Sequence, residues 1–194
     1  SCKQTKNSPA YKAFLTQEHR FVLNECELTY NEKPFYIGMP LKDLQKTFGT
    51  DNINEENINN YKIDPYYLFY PKKGVMALIE NHKLRDIYVY MKNDDFQELI
   101  ILTGNQSIIV NEAILSQTDK MHEYIKRAGF SFNDFLLSGN GYEQQYRCGE
   151  DTLIYVIGSK LYRERFGSGH LYTSGDWLLK ETNTVNYIHI YKKD

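Results

Sequence analysis

The strongest constraint in this chain is an order of strands and helix that runs twice. "FVLNECELTY" and "KPFYIG" read as two short strands parted by the turn-forming "NEK". A helix follows over "MPLKDLQKTFG", with Pro40 where a missing N–H is harmless, Leu41, Leu44 and Phe48 on one face, and Gly49 to stop it. Three further strands, "YYLFY", "GVMALIE" and "RDIYVYMK", complete a β-β-α-β-β-β unit over residues 21–95. Residues 96–194 repeat the order. "ELIILTG" and "SIIVN" read as strands, and "SQTDKMHEYIKRAG" as a helix capped by Ser116 or Thr118 and ended by Gly129; "YEQQYRCG", "TLIYVIG" and "VNYIHIYKK" are the later strands. The two ends match: "IYVYMK" at 87–92 answers "IHIYKK" at 188–193, Ile87 with Ile188, Val89 with Ile190, and Tyr90 with Tyr191.

The expected fold is therefore α+β, two similar β-β-α-β-β-β halves forming antiparallel sheet or sheets with short helices packed on one face. Residues 1–20 read as a polar leader and a short helix across "AYKAFLTQEH". The only separator between the halves is "KNDDF", too short for a flexible linker, so they are expected to pack tightly as one unit or to continue one sheet.

Composition narrows the function. The 194 residues are 41% hydrophobic and 25% charged with a formal net charge of -2, which argues against disorder, a nucleic-acid partner or a polybasic membrane face. No apolar run is long enough to span a bilayer. His19, His82, His122, His170 and His189 show no metal-ligand spacing, and no serine sits in a Gly-x-Ser-x-Gly elbow. "SGNGY" and "FGSGH" lack the lysine of a phosphate loop and read as turns, while Asp94 with Asp95 and Glu55 with Glu56 lie in polar, solvated runs. The reading assigns no catalytic residue, metal or cofactor.

The cysteines raise a question of compartment. Cys2, behind the small Ser1, fits two readings: an ordinary free thiol near a chain end, or the acyl-bearing cysteine of a bacterial lipoprotein. Cys26 and Cys148 sit in the strand-like "LNECELTY" and "QQYRCGED" with no Cys-x-x-Cys motif. Buried reduced thiols are the more ordinary reading; an oxidising compartment would permit a bond between them.

Tyrosine is the other marked feature, at 17 residues. In "DIYVYMK", Ile87, Val89 and Met91 share one strand face while Tyr88 and Tyr90 share the other; in "NYIHIYK", Ile188 and Ile190 oppose Tyr187, His189 and Tyr191. Tyrosine buries large area at small entropic cost and keeps a hydroxyl, so such a face suits an interface; it also serves as ordinary sheet cover.

"FVLNECELTYNEKPFYIGMPLKDLQKTFG", the aromatic strand "YYLFYP", the hairpin "GVMALIENHKLRDIYVYMK" and the second opening "ELIILTGNQSIIVNEAI" together resemble bacterial immunity proteins paired with type VI secretion effectors. The pattern is also similar to outer-membrane assembly lipoproteins and β-lactamase-inhibitor-like modules. The resemblance covers about residues 20–193 and implies a non-enzymatic α+β binding module. It implies a periplasmic protein, held to the outer membrane through a lipid on Cys2, that neutralises a cognate secreted toxin; the other function it allows is a structural envelope lipoprotein docked on an assembly component. The helix ends Phe48-Gly49 where the family pattern ends Leu-Gly, and the loop from Thr50 to Asn60 and "SKLYRERFGSGHLYTSGDWLLKETN" are this chain's own. Toxin choice is expected in such loops. Arg163, Arg165, Phe166, His170 and Tyr172 are the favoured anchors, with Tyr88, Tyr90, Tyr187, His189 and Tyr191 as the second surface. Asp51, Glu55 and Glu56 are expected to steer or add a second contact.

Overall fold

The structure is a computed structural model that describes residues 6–54, 64–91, 102, 106–129, 136–138, 141–158 and 184–194. Its first elements are α1 (Pro9–Leu15), β1 (Phe21–Asn24), β2 (Glu27–Tyr30), β3 (Lys33–Phe35), α2 (Leu41–Phe48) and β4 (Ile53–Asn54). Then come β5 (Tyr66–Tyr70), a single 3-10 turn at Pro71–Lys73, β6 (Val75–Glu80), β7 (Lys83–Tyr90), β8 (Ser107–Val110) and β9 (Ala113–Ser116). The chain continues through α3 (Met121–Arg127), β10 (Leu136–Ser138), β11 (Gly141–Cys148), β12 (Asp151–Gly158) and β13 (Tyr187–Lys192).

Tight turns set the hairpins. Asn31–Glu32 between β2 and β3, and Asn111–Glu112 between β8 and β9, all have positive φ, the geometry that matches strand twist in a two-residue hairpin. Asparagine tolerates that backbone and offers an amide besides. The Asn31 side chain accepts from the Arg20 N–H and donates to the Glu18 carbonyl; Asn111 accepts from the Glu25 N–H and donates to the Tyr146 hydroxyl. Each hairpin turn thus holds a neighbouring stretch of chain.

The strands form two sheets: a five-stranded one in the order β3-β2-β1-β8-β9, and an eight-stranded one in the order β10-β11-β12-β13-β7-β6-β5-β4. The pairings are antiparallel except that of β1 with β8, which is parallel. The larger sheet reads the same outward from its middle: β7 pairs with β13, and each arm then steps back through three preceding strands. Asn31 and Glu32 before β3 and Gly49 after α2, and Asn111 and Glu112 before β9 and Gly129 after α3, all have positive φ.

One core joins both sheets and two helices. Phe21, Leu23 and Val110 from the small sheet meet Ile87, Val89, Ile188 and Ile190 from the large one, together with Leu44 and Phe48 of α2 and Tyr124 and Ile125 of α3. Phe48 is the hub of α2, its ring 4.8 Å from Tyr30, 5.4 Å from Phe35, 5.8 Å from Tyr70 and 6.2 Å from Phe21. Gly49 ends the helix with φ 91°, and its carbonyl accepts the Tyr70 hydroxyl.

Several expectations change. "FVLNECELTY" is two strands, because the chain turns at Glu25–Cys26, so Cys26 lies in a turn and not in a strand. The sulfurs of Cys26 and Cys148 are bonded, with Cα atoms 5.6 Å apart, in place of two reduced thiols. "AILS" is a strand, β9, and α3 begins later than expected with Lys120 at its N-cap. Neither Ser116 nor Thr118 caps it: their hydroxyls bond each other, and the Asp119 carboxylate takes the Ser116 N–H and the Arg127 guanidinium. The helices of the two expected halves, α2 and α3, both pack into the shared core, and α1, read with the leader, lies apart from them. Phe14 of α1 packs with Ile109 and Ile114 on the far side of the small sheet, away from α2 and α3.

His19 leads into β1 with its Nδ1 2.8 Å from the Tyr30 hydroxyl. Burial lowers its pKa below the usual 6.5; the Glu18 carboxylate works against the shift and the Lys73 ammonium adds to it. The unfolded chain therefore takes up this proton more readily than the folded one. The resulting stability is complete above pH 6.5 and is lost as pH falls below it. Thermal melts of the wild type are expected to drop between about pH 7 and pH 5, and His19→Gln to flatten that slope. An unchanged slope would assign the acid sensitivity elsewhere.

Candidate functional site

The outer face of the large sheet is built by period-two alternation. With the aliphatic side chains of β7 and β13 turned into the core, Asp86, Tyr88 and Tyr90 of β7 and Tyr187, His189 and Tyr191 of β13 stand on the opposite face. Register pairs them across the strands as Tyr90 with Tyr187, Tyr88 with His189, and Asp86 with Tyr191. The result is a stacked file. Tyr88 and His189 lie face to face at 4.0 Å with planes 5° apart, and His189 stacks on Tyr191 at 4.8 Å. Tyr187 leans on Tyr88 and Tyr90 at 5.7 and 5.6 Å. Such offset and tilted pairs add to the area they bury.

The two ends of the file differ. At one end Tyr90 and Tyr187 are each only 5% exposed, clustered with Phe69 and Met76 and covered by Leu102. At the other, Asp86 meets His189, Oδ2 to Nε2 at 3.3 Å, with 17% and 12% of their side chains exposed. Here a hollow of about 670 Å³ opens, walled by His189, Tyr191 and Ile154 and edged by Asp86, Glu143 and Gln145. Its rim carries both signs of charge. Arg85 bridges Glu80 and Asp86, and Lys192 is engaged by Asp151.

Two phenols of this face, Tyr88 and Tyr191, are held protonated. Burial raises the Tyr88 pKa well above its ordinary range, with Tyr67 and Asp86 adding to it; burial, then the Glu143 and Asp86 carboxylates, raise that of Tyr191. Neutral phenols present ring faces and hydroxyl donors, chemistry suited to recognition. Among the described residues, no group of three or more His, Cys, Asp or Glu is placed to hold a metal ion, and no helix is long and apolar enough to cross a membrane.

The structure gathers Tyr88, Tyr90, Tyr187, His189 and Tyr191 into one file, as alternation on their strands suggests, and divides them by burial: Tyr90 and Tyr187 are inside, and the other three are half-buried. Asp51 is exposed just beyond α2. Cys26 and Cys148 tie the β1–β2 turn to the end of β11. Cys2, Glu55, Glu56, Arg163, Arg165, Phe166, His170 and Tyr172 lie outside the described residues. Asp86, Glu143 and Gln145 were not singled out from sequence. Asp86 could have been found by stepping back two places from Tyr88; Glu143 and Gln145 reach the site only through the register of β11, β12 and β13.

No curated protein and no solved structure matches the chain. A family model does, over residues 20–124, from the entry into β1 to the middle of α3. That span is more than half of the 194 residues, and the chain therefore belongs to the family described as "Domain of unknown function (DUF7738)".

Proposed function

We propose that this protein is a non-catalytic immunity protein of the bacterial cell envelope, one that binds a cognate secreted toxin and blocks it. The observation that carries the binding reading is the half-buried Tyr88–His189–Tyr191 file opening into a hollow with a polar rim. Aromatic anchors inside a polar ring are the arrangement in which a few residues supply most of an interface's energy. The Cys26–Cys148 bond supports the compartment, since disulfides form and persist in oxidising surroundings such as the periplasm, where a toxin delivered from a neighbouring cell would act. We read the two halves as one β-β-α-β-β-β unit used twice, supported by the mirrored order of the large sheet and the matching turns. A rigid scaffold of that kind leaves partner choice to the loops that differ between its halves.

The experiment pairs this protein with the toxin-like product of an adjacent gene. Co-expression is expected to restore growth, and titration calorimetry to show a tight complex. Arg165→Ala with Phe166→Ala is expected to weaken that complex at least tenfold, about 1.4 kcal/mol, with no change in melting temperature. A folded protein that neither binds that product nor protects the cell would overturn the immunity reading. Binding unaltered by the double substitution would leave the Tyr88–His189–Tyr191 file as the anchor without the loop.

A further inference from the structure

Helix α1 covers only part of the small sheet. Its Phe14 is buried against Ile109 of β8 and Ile114 of β9, with Tyr11 and Val22 packed at the margin of that contact. On the β1–β3 side, alternation turns Val22, Asn24, Glu27, Thr29 and Pro34 away from the core, and among the described residues no helix lies over them. A hollow of about 570 Å³ opens there, with Tyr11 and Leu15 of α1 as one wall and Val22 and Thr29 in its floor. The large hydrophobic side chains that stand exposed among the described residues are Leu15, at 50%, and Tyr36, at 57%. Both border this shelf: Leu15 projects from α1, and Tyr36 follows Phe35 of β3, which is turned into the core. A half-covered sheet face with an apolar side chain at either border fits a further layer of structure.

We propose that the shelf is filled by α1 of a second copy of this chain, each copy laying its α1 on the other's β1–β3 face in a reciprocal dimer. Charge favours that occupant. The sequence of α1 holds Lys12 and no carboxylate, and Lys6 precedes it; Glu27 and Glu32 stand exposed on the open side of the shelf. Among the described residues none of these four is in an ion pair. Arg20 lines the hollow as well, but its guanidinium donates to the Gln17 carbonyl. A basic helix and an acidic shelf on one molecule are complementary between two. The edge of the sheet favours the same mode, because Pro34 has no N–H to offer on β3 and a visitor is better received on the face than as an added strand. The contact is isologous, made twice by the same residues. It uses the small sheet and not the Tyr88–His189–Tyr191 file, so it stands apart from the toxin-binding reading.

The test is sedimentation of the whole protein at low salt over concentrations up to about 1 mM, since a shelf this small supports only a weak dimer. Concentration-dependent dimerisation is expected in the wild type. Leu15→Glu is expected to weaken it at least tenfold while the melting temperature of the dilute protein holds, because the side chain it replaces is exposed. Should that variant fail to fold, Tyr36→Ser alters the other border with the same expectation. Charge reversal identifies the occupant. One protein carrying Lys6→Glu with Lys12→Glu, and another carrying Glu27→Lys with Glu32→Lys, are each expected to be monomeric alone and to pair when mixed, because only the mixture sets helix and shelf of opposite charge together in both contacts. A wild type that stays monomeric, a dimer undiminished in whichever border variant folds, or a mixture that does not pair would each overturn the proposal.

Discussion

Replacing Cys26 and Cys148 together with serine is expected to lower the unfolding free energy by about 4–5 kcal/mol, the effect of releasing a very long closed loop in the unfolded chain. The bond joins residues 122 positions apart, so its loss frees most of the chain's length. Its place in the fold enlarges the consequence. Cys26 sits in the turn of the small sheet and Cys148 at the end of β11 in the large one, so the bond staples one sheet to the other. Around it the Tyr155 hydroxyl donates to the Glu25 carbonyl at 2.6 Å, and Asn111 reaches the Tyr146 hydroxyl. Those contacts are short-range and depend on the sheets being held together. Urea denaturation of the oxidised wild type against the double variant measures the difference; coincident midpoints would mean the unfolded chain gains nothing from release. Thiol counting in denaturant without reductant checks the bond itself, since two reactive internal thiols would rule it out.

Gly158→Ala should be the most damaging of the small substitutions, at about 2–3 kcal/mol. A methyl group there would stand 2.1 Å from the Tyr187 ring. The ring cannot swing aside cheaply, being buried and packed between Tyr88, Tyr90 and the strand below it. If this clash is the cause, shortening the ring should undo it: Gly158→Ala with Tyr187→Leu is expected to lose much less than the two single changes added together. Chemical denaturation of the four proteins closes the cycle. Additive losses would show that the glycine is needed for its own backbone and not for the ring.

What could be read in advance divides along the range of the interactions. Alternation within β7 and β13 was legible because it is a property of consecutive residues, and so was the apolar stripe of α2 from Leu41 to Phe48. The turn at Glu25–Cys26 was signalled only by the poor strand formers on either side, Asn24 and Glu27, because neither turn residue is a glycine, proline or asparagine and the outer residues Phe21–Leu23 and Leu28–Tyr30 favour strand. The strand "AILS" was hidden for the opposite reason: four residues between a turn and a helix are too few to establish a period. The candidate site was half legible. Its tyrosines announced a face, but which of them would be buried depended on Leu102, Phe69 and Met76 arriving from other segments. The pairing of β7 with β13, the meeting of Cys26 with Cys148, and the approach of Glu143 and Gln145 to His189 are all consequences of register between distant strands, which local sequence does not encode.

The parallel pairing of β1 carries a consequence for the order of events in synthesis. On the side away from β2, Val22 and Leu23 find their partners in Ile109 and Val110, so the middle of the small sheet cannot close until the chain has been made as far as residue 110. The β7 edge waits longer still, for β13 at Tyr187–Lys192. The amino-terminal half therefore emerges from the ribosome with two unfinished seams, one in each sheet, and completes neither by itself. Long-range pairing of this kind delays the final locking until β13 has been made. The last seam to close is the β7–β13 pairing that carries the aromatic file, so the file takes shape only once β13 has joined the sheet.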